Sequence, residues 1–257
     1  MSLDRRQLLT ALGGAALGTL AGGLTRRAQA MGNDAEVGLA LLKHGEGYDT
    51  RPGAVEQLMW ETSKRTSIDV RERPLVLAAD DPELFRWPLL VWIGSGEAPP
   101  FSADDIKRLH RYLRSGGMLY IDDASPGDGF DASVRREVAR IWPDQPMAPL
   151  DRDHTLYRSF FLLEAPEGRV ARSNSLEGVA FDDRSIIVYG RNDLFGAFGR
   201  DPLGGWTLPV EPGGNRQREM AFRMGINLVM YATCTNYKRD QVHTTAILRR
   251  RRWRVQQ

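Results

Sequence analysis

A single cysteine, Cys234, stands in a chain of 257 residues. No intrachain disulfide can form, and no Cys pair is available to hold zinc. Histidine is scarce too, with four in all, and no H-E-x-x-H places two of them on one helix face. The G-x-S-x-G elbow of serine hydrolases is also missing. The one Gly-Ser-Gly, Gly94-Ser95-Gly96, has Ile93 where the first glycine would stand, and Pro99 and Pro100 delay any following helix. Ser95 is therefore a poor nucleophile candidate. No apolar run reaches the about 20 residues that a spanning helix needs. The longest, Leu8 to Leu24, is loosened by five glycines. There is no internal repeat and no low-complexity block.

What is present begins with an address. Residues 1–30 carry Arg5-Arg6, a Gly- and Ala-rich apolar stretch, Arg26-Arg27 and then Ala28-Gln29-Ala30. This pattern resembles a twin-arginine (Tat) export signal with a small-x-small cleavage site. The expectation is export to the periplasm with residues 31–257 as one α/β domain; membrane association follows if the signal is not cleaved. The charge divides accordingly. The formal net charge of the chain is +2, but residues from Lys238 onward carry +6 and Met31 to Tyr237 carry −7. A basic leader and a basic tail on an acidic body leave no electrostatic footprint for nucleic acid. The tail, from about residue 238, holds Arg249, Arg250, Arg251, Arg252 and Trp253. It would meet anionic lipid or an envelope protein partner, or fold back on the acidic body.

Hydrophobic patterning alternates strands with helices. Strands are expected at 36–42, 73–78, 88–96, 118–121 and 184–193, and helices at 51–68, 101–117, 131–142 and 217–234. Ser102 caps the clearest helix, and Gly116-Gly117 ends it. Residues 143–153 read as a Pro- and Asp-rich loop, and 156–164 as either strand or helix. Alternation of this kind predicts a mostly parallel sheet covered by helices on both faces, a three-layer α/β/α sandwich. Ligands of such sheets bind outside the carboxyl ends of the strands. Four polar clusters follow apolar strands and so share that rim: Lys43-His44, Ser95 with Glu97, Asp122-Asp123, and Asn192-Asp193.

Each cluster has a functional and a plain reading. Asp122 and Asp123 with His154 are the catalytic candidates, while Lys43, His44, Ser95, Glu97, Asn192 and Asp193 are ligand-binding candidates. One Asp of the pair would face the crevice and one would cap a turn; a solvated pair is the plain alternative. Asp153-His154 would supply an acid/base or a metal ligand, or His154 would bond to backbone. An oxygen-rich Asp/His/Asn-Asp set would suit a hard divalent ion better than zinc, but no spacing assigns a metal, and no cofactor is indicated. Gly196, Gly199, Gly204 and Gly205, with Phe195, Phe198 and Trp206, suggest a mobile aromatic loop over the rim, covering a sugar-like or peptide ligand or serving as a docking surface.

Several ordered elements carry a resemblance: "ELFRWPLLVWIGSG", "LHRYLRSGGMLYIDD", "DRDHTLYRSFFLL", "YGRNDLFGAF", "RMGINLVMYA" and "TNYKRDQVH". From about Val37 onward the chain resembles the bacterial family known as domain of unknown function 4159. That resemblance implies a class I glutamine amidotransferase-like, flavodoxin-like fold, and the helix-GG-strand unit is similar to that of ThuA-like proteins. It implies no activity. Some family members are encoded near von Willebrand A-type and MoxR-type ATPase proteins, which suggests an accessory role in an envelope complex. Amidotransferase chemistry needs an activated Cys on a strand-to-helix elbow, and here no Cys follows any of the four clustered strands. A non-catalytic binding or assembly domain is the leading expectation, and a hydrolase-like enzyme using the polar rim is the alternative. Replacing Arg5 and Arg6 by Lys is expected to stop export, measured as loss of the mature chain from the periplasmic fraction; an unchanged yield would refute the Tat address.

Overall fold

A computed structural model describes residues 36–125 and 127–233. The leader, Cys234, Arg249 to Arg252 and Trp253 lie outside the described residues. The strands are β1 (Leu39–Leu42), β2 (Leu75–Leu77), β3 (Leu89–Gly94), β4 (Met118–Asp123), β5 (Ala148–Pro149), β6 (Glu177–Phe181) and β7 (Arg184–Gly190). The helices are α1 (Ala54–Arg65), α2 (Ala103–Arg114), α3 (Gly129–Ile141) and α4 (Gly214–Thr233).

One sheet holds all seven strands in the order β2-β1-β3-β4-β7-β6-β5. The first five are parallel, and β6 and β5 complete the edge in antiparallel fashion. β1, β3 and β4 are buried at every residue. Their continuous apolar runs show why: helices cover both faces, so no position alternates outward. α1 and α4 pack together, as do α2 and α3. Leu90, Trp92, Leu119 and Ile121 join Leu109, Leu113, Phe130 and Val134 in one core under α2 and α3. The other faces of the same strands look toward α1 and α4. The α/β sandwich expected from the alternation is the architecture found.

Local chemistry sets the boundaries. Ser102 and Asp105 form a reciprocal capping box that starts α2. Gly94 closes β3 against α3, where a Cβ would overlap the Phe130 ring. β6 and β7 form a hairpin whose two-residue turn, Asp182-Asp183, has positive φ at both positions (51° and 63°), the geometry of a type I′ turn.

Two segments differ from the sequence reading. Residues 156–164 form neither strand nor α-helix but one 3-10 turn, Thr155–Arg158, followed by irregular chain. Asn227 of α4, fully buried, takes the place of a ladder there: its Oδ1 accepts the Phe160 and Phe161 N–H groups at 3.1 and 2.7 Å, and its Nδ2 donates to Phe161 O at 2.9 Å. Two of the three aromatic residues expected in a loop over the rim are core residues instead. Phe195 and Phe198 are fully buried, and Phe198 stacks on Phe222 of α4 with centroids 4.5 Å apart. Burial of two phenyl rings outweighs the freedom that the neighbouring glycines suggest.

Gly94→Ala is expected to lower stability by about 1–3 kcal/mol, the usual cost of overpacking a filled core. A denaturant midpoint unchanged from wild type would show that the Phe130 contact can yield.

Candidate functional site

The rim at the carboxyl ends of β4 and β7 is built around three carboxylates, Asp122, Asp123 and Asp193, each with 0% exposure. Alternation along β4 sends Asp122 and Asp123 to opposite faces, so the adjacent pair belongs to two separate networks.

Toward α1 and α4, Asp122 accepts the backbone N–H groups of Leu194 and Phe195, each at 2.8 Å. It fixes the turn that leaves β7. Asp193 in that turn has φ of 49°, a left-handed conformation that Asp tolerates through local hydrogen bonding. Its carboxylate receives Arg51 Nε at 2.9 Å and Arg51 Nη2 at 2.8 Å, a bidentate pair. Arg169 Nε also donates to it, as does Gly196 N at 3.1 Å. Arg51 Nη2 reaches Ala124 O at 3.0 Å as well, which ties the approach to α1 to the end of β4. Burial, and then the neighbouring Asp193 carboxylate, push the Asp122 carboxyl up to about 8; the Phe195 and Leu194 N–H groups and Arg51 oppose that shift.

Toward α3, Asp123 accepts the Ser125 N–H at 2.9 Å and the Ser125 hydroxyl. The Tyr189 hydroxyl lies 3.2 Å from Asp123 and 3.1 Å from Asp131. Burial first, then these two carboxylates, raise the Tyr189 phenol well above its ordinary value. Arg172 stands 3.6 Å from Asp123 and donates to Ser125 O. Arg191 closes the edge through Asp128 at 2.8 Å.

The structure brings together only some of the residues singled out in the sequence. Asp122, Asp123 and Asp193 meet at one strand end, and none is solvated. Asn192 is buried beside them as a clamp. Its Oδ1 accepts from Arg172 N and Ser173 N at 2.9 and 2.8 Å, and its Nδ2 donates to Pro166 O and Ser173 O at 3.0 and 2.9 Å. His44 pins two loops: its Nε2 lies 2.7 Å from Pro99 O and its ring stacks on Phe101 at 3.7 Å. Burial lowers its pKa from the ordinary value. Lys43 is exposed beside the Tyr48 ring. Ser95 and Glu97 are exposed past β3.

His154 stands elsewhere. Its Nδ1 accepts the Leu156 N–H and its Nε2 lies 3.0 Å from Ser185 Oγ. Ser185 opens β7, whereas Gly190, opposite Asp122, closes it. Five residue steps separate them, about 16 Å at the usual rise. His154 therefore shares no site with Asp122 and Asp123. Among the described residues, no group of three or more His, Cys, Asp or Glu side chains is arranged to hold a metal ion.

Arginines are what the sequence reading missed. Arg51 was within reach of it, because it follows β1 and leads into a helix, and the strand-end rule places such a residue on the rim. Arg169 and Arg172 come from a loop that no strand announces.

The raised Asp122 carboxyl carries a sign. Its ordinary value is 3.8 and its folded value about 8, so the folded state holds a proton that the unfolded chain has released. The stabilisation from this proton is full below about pH 4 and is lost as pH rises through about 8. Relative to Asp122→Asn, the wild type is expected to lose stability over that window in paired denaturation curves. A constant difference would mean that Asp122 ionises normally.

Comparison with curated proteins found no match. The family model described as Domain of unknown function (DUF4159) matches residues 38–233, from the start of β1 to the end of α4. The chain belongs to this domain-of-unknown-function family, and the buried carboxylate rim lies inside the matched region.

Proposed function

We propose that this chain is an exported, non-catalytic binding or assembly domain on an amidotransferase-like, flavodoxin-like scaffold without the Cys nucleophile. The observation that carries the reading is the use made of the rim. Asp122, Asp123 and Asp193 are wholly buried, and backbone N–H groups, hydroxyls and guanidinium groups occupy their oxygens. A catalytic acid or base must reach a substrate proton directly or through one water, and these carboxylates face inward. Support for the scaffold comes from the parallel order β2-β1-β3-β4-β7. Ser95, the exposed hydroxyl at a strand end, precedes α2 by eight residues, so it does not stand on the tight strand-to-helix elbow of a serine nucleophile. The twin-arginine pattern supports export. The gene neighbourhoods implied by the family resemblance make a von Willebrand A-type envelope protein the first partner to try.

The purified full chain is expected to turn over no chromogenic ester, amide, phosphate ester or glycoside, with or without Mg2+ or Mn2+. Turnover that Asp122→Asn or Asp123→Asn abolishes would overturn the reading. Co-expression with a von Willebrand A-type protein of the same organism is expected to give a complex of fixed stoichiometry by size-exclusion chromatography with light scattering.

A further inference from the structure

The outer face of α1 borders a shallow cavity of about 430 Å3. Gly53, Glu56, Gln57 and Trp60 line it from the helix, Glu72 from the α1–β2 connection, and Arg200 from the segment after β7. The inner face of α1 is conventional, with Ala54, Val55, Leu58 and Met59 buried. On the outer face, Trp60 is 42% exposed, with the Lys64 ammonium 5.5 Å from its ring centroid, and the rest of this large aromatic surface lies in water with no gain from burial.

Three of the polar side chains around this ring have no partner among the described residues. The side chains of Glu56, Gln57 and Glu72 make no hydrogen bond to the described residues. One helical turn further on, the pattern reverses, and Glu61, Arg65 and Glu219 are joined in a network. Arg200 is held in place rather than waving. Its Nη1 donates to Gly204 O at 2.7 Å, and its guanidinium lies 3.8 Å from the Trp206 centroid. Arg218, 6% exposed, lies 4.2 Å from the same centroid. Stacking of this kind fixes the plane of a guanidinium at little further entropic cost.

The ligand chemistry follows from this set. Carboxylates accept hydroxyl protons, the amide of Gln57 both donates and accepts, and the guanidinium donates in a fixed fork. An open cavity gives an apolar ligand no enclosed volume, and the two carboxylates, matched by the Arg200 guanidinium and the Lys64 ammonium over the Trp60 ring, leave no net positive charge to draw an anion. A flat aromatic ring bordered by paired donors and acceptors suits a ring-shaped polyol, whose C–H face rests on the indole while its hydroxyl edges meet the polar groups. We propose that this cavity is a saccharide subsite for a neutral hexose or N-acetylhexosamine unit of a glycan. The inference rests on the reading of the chain as a binding module, but it uses a surface separate from the carboxylate rim.

Isothermal titration of the full chain with chitotetraose and cellotetraose tests it, with tetragalacturonic acid as the acidic comparison. At least one neutral tetramer is expected to bind with a Kd of about 1 mM or tighter, and the acidic one about tenfold more weakly. Trp60→Ala is expected to weaken binding about tenfold or more with the thermal midpoint retained. Gln57→Ala, which leaves the ring in place, is expected to cost about threefold. Absence of binding by both neutral tetramers, tightest binding by the acidic one, or wild-type affinity in Trp60→Ala would each overturn the subsite. The envelope complex is read separately: a Trp60→Ala chain that assembles normally while the wild type ignores sugars sinks this inference alone.

Discussion

The Asp193 carboxylate is the joint on which the rim depends. It is removed from water completely and has two guanidinium groups as counterions, one from the approach to α1 and one from the 166–173 loop. A buried carboxylate with one partner removed costs about 3–5 kcal/mol, so neither arginine can drift without penalty. Arg51 also bonds Ala124 O, and Arg169 N donates to Asp193 O at 3.0 Å. One ion-pair cluster therefore fixes the ends of β4 and β7, the lead-in to α1 and a long loop against each other. Asp122 completes it by holding the turn in which Asp193 sits. No Cβ could be added at Gly196 without meeting the Asp193 carboxylate, so the turn admits only the smallest residue.

This arrangement sets two adjacent carboxylates at a strand end in different surroundings. Alternation divides them between faces. Burial, and then the neighbouring Asp193 carboxylate, raise the Asp122 carboxyl. Asp123 belongs with Tyr189, Ser125 and Arg172 under α3. Each Asp organises a different connection: the exit from β7 on one side, the exit from β4 on the other. At the carboxyl ends of β4 and β7 the carboxylates are met by the protein's own arginines.

Much of the fold was legible because burial is written in the apolar runs. "LLVWIG" and "MLYIDD" have no period-2 polarity, and both became central parallel strands. Ser102 announced α2 through its own capping chemistry. The edge was harder to read. β6 carries a bulge between Val179 and Ala180 and turns through Asp182-Asp183 rather than the stronger Asn-Gly signal. The site was legible as a place and not as a set. Asp122, Asp123, Asn192 and Asp193 were all identified, yet their partners Arg51, Arg169 and Arg172 lie far from them in the chain, and ion pairs across such separations leave no local pattern. His154 failed for a related reason. Its position depends on where the 3-10 turn after the Pro-rich loop docks, and that turn sits by Ser185 at the start of β7.

A rigid rim also changes what the neighbouring surface can do. Arg51 is anchored two residues before Gly53, so the first turn of α1 inherits the fixed position of the Asp193 cluster. Arg200 and Trp206 are held from the other side by Arg218, whose guanidinium donates to Ala197 O and Leu208 O. Trp60, Glu56, Gln57 and Arg200 thus project from two anchored elements, and Glu72 joins them from the α1–β2 connection. Shallow sites offer few contacts, and their affinity depends on how little ordering remains to be done on binding. For the proposed saccharide subsite, the buried carboxylates would act indirectly: they fix the start of the helix that carries an exposed aromatic ring, and the recognising groups would lie on the outside of α1 rather than at the strand ends.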